Sequence, residues 1–155
     1  MTRVTLAIIA GVKDLAAGVK YVYGAKPSLL GPVKTSDCSG AIRRWAAQAG
    51  VRMLQREGRG TCRIEDWSGS WTQREWCTPV SVAYALSANG IGCLLFIRPK
   101  GERPGHVALS LGGGWTLECR GGRGVCVVGP AENKTRGWTD GGKLPELFEL
   151  PTELS

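Results

Sequence analysis

The sequence predicts an α+β fold, with helices in its N-terminal part and an antiparallel β-meander packed against them from the C-terminal part. Two observations carry this. Before residue 50 the apolar residues recur at helical spacing, and from Ile91 onward they fall in short runs broken by glycine pairs and triplets. Helices gathered first and strands afterwards are the mark of α+β and not of an alternating parallel fold. With 155 residues, 43% of them hydrophobic and 21% charged, the chain can bury one ordinary core, and a single domain over 1–155 is expected.

The first element is a helix whose buried face is expected to hold Ile8, Val12, Leu15 and Val19. Gly11 and Gly18 each weaken it by about 1 kcal/mol relative to alanine. Tyr21 to Gly24 reads as a short extended exit, and 26 to 35, with Pro27, Gly31 and Pro32, as a loop. Asp37 is placed to cap a second helix from Cys38 to about Ala49, which Gly50 ends. Residues 51 to 78 show no sustained period and read as an irregular insertion. Its Trp67, Trp71 and Trp76 either line a groove or pack the loop onto the core, and packing is the simpler expectation. Strands follow at 92–97, 106–111, 115–119 and 124–128, with Gly112-Gly113-Gly114 as a hairpin turn. The tail from about 130 to 155, with Pro130, Gly141, Gly142, Pro145 and Pro151, is expected to be loop with one edge strand near Leu147-Phe148-Glu149.

A formal charge of +7 and a pI near 9.3 favour a polyanionic partner or surface. The basic residues are spread out, without the basic-aromatic interleaving that nucleic-acid binding wants, so no nucleic-acid partner is expected. No apolar run approaches the roughly 18 residues of a membrane span. Val4 to Val12 is short for a signal-peptide core and runs into Lys13 and Asp14, so synthesis without a signal peptide is expected. The six cysteines include no C-x-x-C pair and there is one histidine, which gives no zinc pattern; neither a metal nor a cofactor is expected. Reduced thiols are the default, with a Cys62–Cys77 or Cys119–Cys126 bridge left open for an oxidising setting.

The chemistry concentrates in two short segments, Asp37-Cys38-Ser39-Gly40 and Gly105-His106-Val107-Ala108-Leu109. His106 is the only histidine, and an imidazole both takes and gives a proton near neutral pH. A cysteine at a helix N-terminus is expected to have its thiol lowered from about 8.5 toward neutrality. Small Ser39 and Gly40 leave room for a carbonyl to approach the first-turn amides. A hairpin at 112–114 brings Glu118 back beside His106, where a carboxylate can orient the ring. Taken singly, each has a plain structural explanation: a small buried cysteine, a satisfied histidine, a solvated strand carboxylate.

Taken in order, these residues resemble the NlpC/P60 cysteine peptidases, over roughly Leu15 to Val128. Tyr21-Val22-Tyr23-Gly24 is similar to the family's Tyr-x-aromatic-Gly-Gly segment, with Ala25 for the second glycine. Asp37-Cys38-Ser39-Gly40 resembles its nucleophile motif, and Gly92-Cys93-Leu94-Leu95-Phe96 its Gly-Asp-Leu-aliphatic-Phe strand, with Cys93 for aspartate. His106 falls on the histidine strand, and Glu118 where the third residue is more often His, Asn or Gln, which makes this site more anionic.

The resemblance implies a papain-like fold and a peptidoglycan hydrolase that cleaves a stem-peptide amide, of the γ-D-glutamyl to diamino-acid type. Cys38, His106 and Glu118 would be its catalytic residues, and Tyr21, Ser39 and Arg120 would meet substrate. Lys100, Arg103 and Arg123 lie in nearby turns. Glu118→Gln would keep partial activity, because an amide still orients the ring. A monomer acting on bacterial peptidoglycan, with no membrane partner, is expected. A phage endolysin released through a holin, or a virion-associated lysin, fits the short basic chain; a delivered toxin stays open. So do an N-acetylmuramoyl-L-alanine amidase of the same fold, a non-catalytic wall-binding or virion module, and a lipid acyltransferase.

Overall fold

The structure, a computed structural model, describes residues 1–150, so Pro151 and the end of the expected tail lie outside the described residues. Helix α1 (Arg3–Ala16) is capped by Thr2, whose hydroxyl accepts from the Thr5 amide at 3.1 Å. Its buried face is not the expected one. Ala7, Ala10, Gly11 and Asp14 turn inward, whereas Val12 and Leu15 are exposed. The reason is close packing. A Cβ on Gly11 would collide with the Leu117 side chain and crowd Trp45, so the residue that weakens the helix is what lets it lie against the sheet.

Helix α2 (Cys38–Gln48) is the centre of the molecule, buried at every residue from Cys38 to Ala47. Gly50 follows its end with φ of 102°, as the sequence predicts. Two of the buried residues are arginines whose guanidiniums are held by oxygen acceptors. Arg43 donates to the carbonyls of Glu65 (2.7 Å) and Pro27 (3.2 Å). Arg44 donates to the Ser28 carbonyl at 2.8 Å and to both oxygens of buried Asp14, at 2.9 and 3.1 Å. The Trp45 indole adds a 2.9 Å bond to Asp14, so one carboxylate joins α1 to α2.

The stretch from 51 to 78 is more regular than its sequence suggests. A hairpin of β3 (Met53–Arg56) and β4 (Gly60–Arg63) leads through a 3-10 turn at 64–66 to α3 (Ser70–Glu75). Each piece is too short to establish a period. Trp67 and Trp76 pack inward, and only Trp71 stays half-buried. Gln73, fully buried, donates to the carbonyls of Ser39 (2.9 Å) and Trp67 (3.1 Å), tying this segment to the first turn of α2.

Behind α2 stands an antiparallel sheet of β5 (Thr78–Val80), β6 (Leu94–Ile97), β7 (His106–Gly112), β8 (Trp115–Arg120), β9 (Gly124–Val128) and β10 (Asp140–Lys143). Its order is β5-β10-β6-β7-β8-β9. The β6–β9 meander is the one read from the sequence. The tail departs from expectation: β10 inserts between β5 and β6, and the expected edge strand is a 3-10 turn, Pro145–Phe148. That turn is held by Arg56, which grips both oxygens of Glu146 at 2.6 and 2.7 Å. Asp140-Gly141-Gly142-Lys143 has no apolar residue to announce a strand. Its glycines are demanded by contact, since a Cβ on Gly142 would sit 2.7 Å from the Cys77 Cβ.

Smaller elements complete the fold: β1 (Lys20–Tyr21) pairs in parallel with β2 (Thr35–Ser36), α4 (Val82–Leu86) packs on the inner strands β10, β6 and β7, and α5 (Pro130–Asn133) packs against β8. All six cysteines are free. Cys119 pairs with Val125 and Cys126 with Glu118, so Cys119 and Cys126 point to opposite faces and cannot bridge. Among the described residues no helix is long and apolar enough to cross a membrane.

Asp14→Ala would strand the buried Arg44 charge, which costs on the order of 3–5 kcal/mol. Urea unfolding followed by tryptophan fluorescence should show this loss, with Asp14→Asn less affected because its carbonyl still accepts.

Candidate active site

The turn into α2 is built around Asp37. Its carboxylate accepts the Gly40 amide at 2.7 Å and the Ser39 hydroxyl at 3.4 Å, so the cap that starts the helix also fixes the residues around Cys38. Gly40 has no alternative, because a Cβ there would lie 2.8 Å from both Asp37 Oδ1 and Pro27 Cδ. The Ser39 hydroxyl in turn accepts the Gly69 amide at 3.3 Å.

Cys38 opens into a cleft of about 320 Å³. Tyr21, Tyr23 and Gly24 line it from the first loop, Gly69 to Thr72 from the α3 segment, and Pro104 and Gly105 from the turn before β7. Trp71 is fixed in this wall by Arg74 and Arg98, whose guanidiniums lie 4.1 and 5.2 Å from its ring centre. Apart from Asp37 and Cys38, the lining offers only neutral hydroxyls, rings and backbone.

The thiol is not lowered as the helix terminus alone predicts. Burial pushes Cys38 up to about 11, with the Asp37 charge adding to it, and the N–H groups of Val107, Ser39 and Cys38 itself only partly offset this. Desolvation of a nearly enclosed sulfur outweighs the helix dipole, so the free protein carries a thiol. Tyr21 is likewise raised to about 12, by burial and then by its nearness to Cys38, and stays a neutral hydroxyl.

The Val107 amide that reaches the Cys38 sulfur belongs to the residue after His106, which brings the thiol to the end of β7. On β8, Glu118 returns beside His106, as the hairpin predicts, with Nε2 and Oε1 2.8 Å apart. Glu118 is fully buried yet saturated with donors. The Thr116 hydroxyl donates to Oε2 at 2.6 Å, and Arg136 donates to Oε1 at 2.6 Å and to Oε2 at 3.2 Å. Burial alone would raise this carboxyl; the bonds from His106 and Arg136 outweigh it and hold the group at about 2. An ionised carboxylate only accepts, so His106 presents Nε2–H to it and keeps Nδ1 as the unprotonated nitrogen of the neutral ring.

Arg136 corrects the expectation of a more anionic site, because it compensates the Glu118 charge within the same cluster. Sequence reasoning missed it, and also Trp138, whose ring centre lies 6.0 Å from that of His106 and 4.8 Å from the Arg136 guanidinium. Both sit in an unpatterned segment after α5, with no local signal. The other residues sort plainly. Tyr21, Ser39 and Cys38 share the cleft; His106 follows its lining residue Gly105, and Glu118 is buried behind the ring. Arg120 instead donates to Glu132 at 2.6 Å, joined there by Arg123 at 3.1 Å, and does not line the cleft. Lys100 and Arg103 are paired through their backbones in an exposed turn. Cys93 packs with Ala85 and Leu95 in an apolar cluster. Among the described residues no group of His, Cys, Asp or Glu is arranged to hold a metal.

Iodoacetamide labelling of Cys38, followed by mass spectrometry, should accelerate with pH through neutrality without levelling until near its value of about 11. A plateau at neutral pH would reveal a thiolate instead. Glu118 contributes stability that is present above the ordinary value of 4.5 and lost as pH falls through about 2. Acid unfolding of the wild type should therefore steepen in that window, and Glu118→Gln should flatten it.

The NlpC/P60 family model matches residues 18–140, a span that takes in Tyr21, Cys38, His106, Glu118 and Arg136. Among solved structures, the P60 domain of an antigen of M. avium subspecies paratuberculosis superposes with a TM-score of 0.62 at 25% identity, over 94% of this chain and 98% of that one. The NlpC/p60 domain of the peptidoglycan hydrolase SagA gives 0.57 at 26% identity, over 90% and 97%. A lipoprotein-like NLP/P60 protein of Staphylococcus aureus gives 0.62 at 18% identity, a likeness of fold alone, with this chain spanning 41% of its length. No curated protein sequence matches. With the match covering most of the chain and the fold shared, this protein belongs to the NlpC/P60 family.

Proposed function

We propose that this protein hydrolyses peptidoglycan through a cysteine nucleophile, cutting the stem-peptide bond between γ-D-glutamate and the diamino acid. The observation that carries the reading is Cys38 in an aromatic cleft whose wall ends at Gly105, the residue before a histidine that is hydrogen-bonded to an ionised Glu118. The family supports the substrate class, and SagA, with the same fold, is described as a peptidoglycan hydrolase.

The geometry suits a thiol that reacts only when relieved of its proton. As the substrate carbonyl enters the cleft, Cys38 passes its proton to Nδ1 of His106 and its sulfur bonds to the carbonyl carbon. The electron pair moves onto the carbonyl oxygen, which takes hydrogen bonds from the α2 first-turn amides. The tetrahedral species collapses as His106 returns the proton to the departing amine. Water then attacks the thioester, loses a proton to His106 and releases the acid and the thiol. Glu118 acts through His106 by holding the ring. Tyr21, a neutral hydroxyl beside Cys38, and Ser39 are placed to meet the substrate. The net charge of +7 suits an anionic wall, and we read the chain as a monomeric lysin of endolysin or virion-associated type.

Purified peptidoglycan digested by wild type and by Cys38→Ala, with the fragments weighed by mass spectrometry, tests this. Cysteine-dependent stem-peptide fragments are expected. Muramoyl-alanine cleavage would make the protein an amidase, and no fragments from several wall types would remove the hydrolase reading. Glu118→Gln should lose about 10²-fold in rate, more than the sequence suggests. Its amide NH₂ would have to face the donors that Arg136, Thr116 and His106 already aim at this position.

A further inference from the structure

We propose that Arg136 is a positioning residue for His106, acting through Glu118, and that Trp138 covers the pair. For the chemistry this rests on the function proposed above; for the state of the imidazole it does not.

Glu118 is faced by His106 from β7, by Thr116 from β8, by Cys126 opposite it on β9, and by Arg136 from the segment after α5. Arg120 and Arg123, nearby, are spent on Glu132. Arg136 is therefore the cation that balances this buried charge, and it supplies two of the four bonds. It is placed firmly. Its guanidinium packs on Trp138, whose indole donates to Asn133 Oδ1 at 3.3 Å. Buried Asn133 donates to the carbonyls of Gly114 (2.8 Å) and Val128 (3.1 Å) and to the Thr116 hydroxyl (3.2 Å). The segment is thus fastened to the same hairpin that carries Glu118.

Removing Arg136 leaves the carboxylate two outcomes, and both act on the ring. An unbalanced Glu118 either retains the imidazolium, or takes a proton and donates it to Nε2, which moves the ring hydrogen to Nδ1. In each case Nδ1 loses the lone pair that relieves Cys38 of its proton. A lysine at 136 restores charge but not the two-pronged bond.

Because His106 is the only histidine, the full chain labelled with ¹⁵N gives one imidazole spin system, readable without substrate. In wild type the neutral ring should be the Nε2–H tautomer. Arg136→Met should show a protonated ring or an Nδ1–H form at neutral pH. Its kcat on peptidoglycan should fall about 10²-fold, with KM within about threefold, and the acidic limb of the pH–rate profile should move to higher pH. Arg136→Lys should recover part of the rate. Glu118→Gln with Arg136→Met should lose less than the two single changes combined, because neither charge is then stranded. A folded Arg136→Met protein with an unchanged ring signal and pH profile would overturn the proposal. Where that variant does not fold, an unchanged ring signal and pH profile in Arg136→Gln, which also lacks the charge, does the same. If the ring behaves as expected while wild type cuts no peptidoglycan, the clamp stands and the proposed function falls.

Discussion

A fully buried carboxylate at Glu118 sets the terms for the rest of this site. A charge in that position survives only if every lone pair has a donor and its sign is balanced nearby. The four donor contacts come from His106, Thr116 and Arg136, which belong to β7, β8 and the segment after α5. Satisfying one group therefore aligns two strands, fastens a tail segment over them, and fixes which ring nitrogen of His106 carries hydrogen. Asp14 plays the matching part on the helical side, where its bonds to Arg44 and Trp45 hold α2 and so the turn that presents Cys38.

At the nucleophile two effects oppose each other. The N-terminus of α2 and the Val107 amide favour a thiolate, while enclosure of the sulfur favours a thiol, and enclosure wins. Under the proposed function, the consequence is a thiol at rest until a substrate and a correctly held imidazole arrive together. That places more of the demand on the state of His106 than a permanently ionised thiol would, and the saturated Glu118 is built to meet it.

The parts legible in the sequence were those whose signals are local. Asp37 as a cap, Gly50 as a stop and the 112–114 hairpin each rest on a few neighbouring residues, and each stands in the structure as read, with Cys38 opening α2 and His106 opening β7. The parts that were not legible depend on contact across the fold. The buried face of α1 is chosen by a close approach at Gly11, not by the largest apolar residues. β10 is a glycine pair squeezed between two strands. Arg136 is one arginine among twenty basic residues in the chain, and only the return of its segment over β8 sets it apart.

The same logic explains why the departure from the family's usual third residue does not stand alone. The resemblance leads one to expect His, Asn or Gln there, side chains that orient an imidazole without bringing a permanent buried charge. Glu118 accepts from the ring more strongly, yet it brings a charge that a sealed strand interior does not tolerate unbalanced. Arg136 is the counterpart that makes the exchange workable, and Trp138 and Asn133 are what keep Arg136 in place. The unit that holds His106 is therefore not one residue but a carboxylate–guanidinium pair, spanning a strand and the segment that wraps over it.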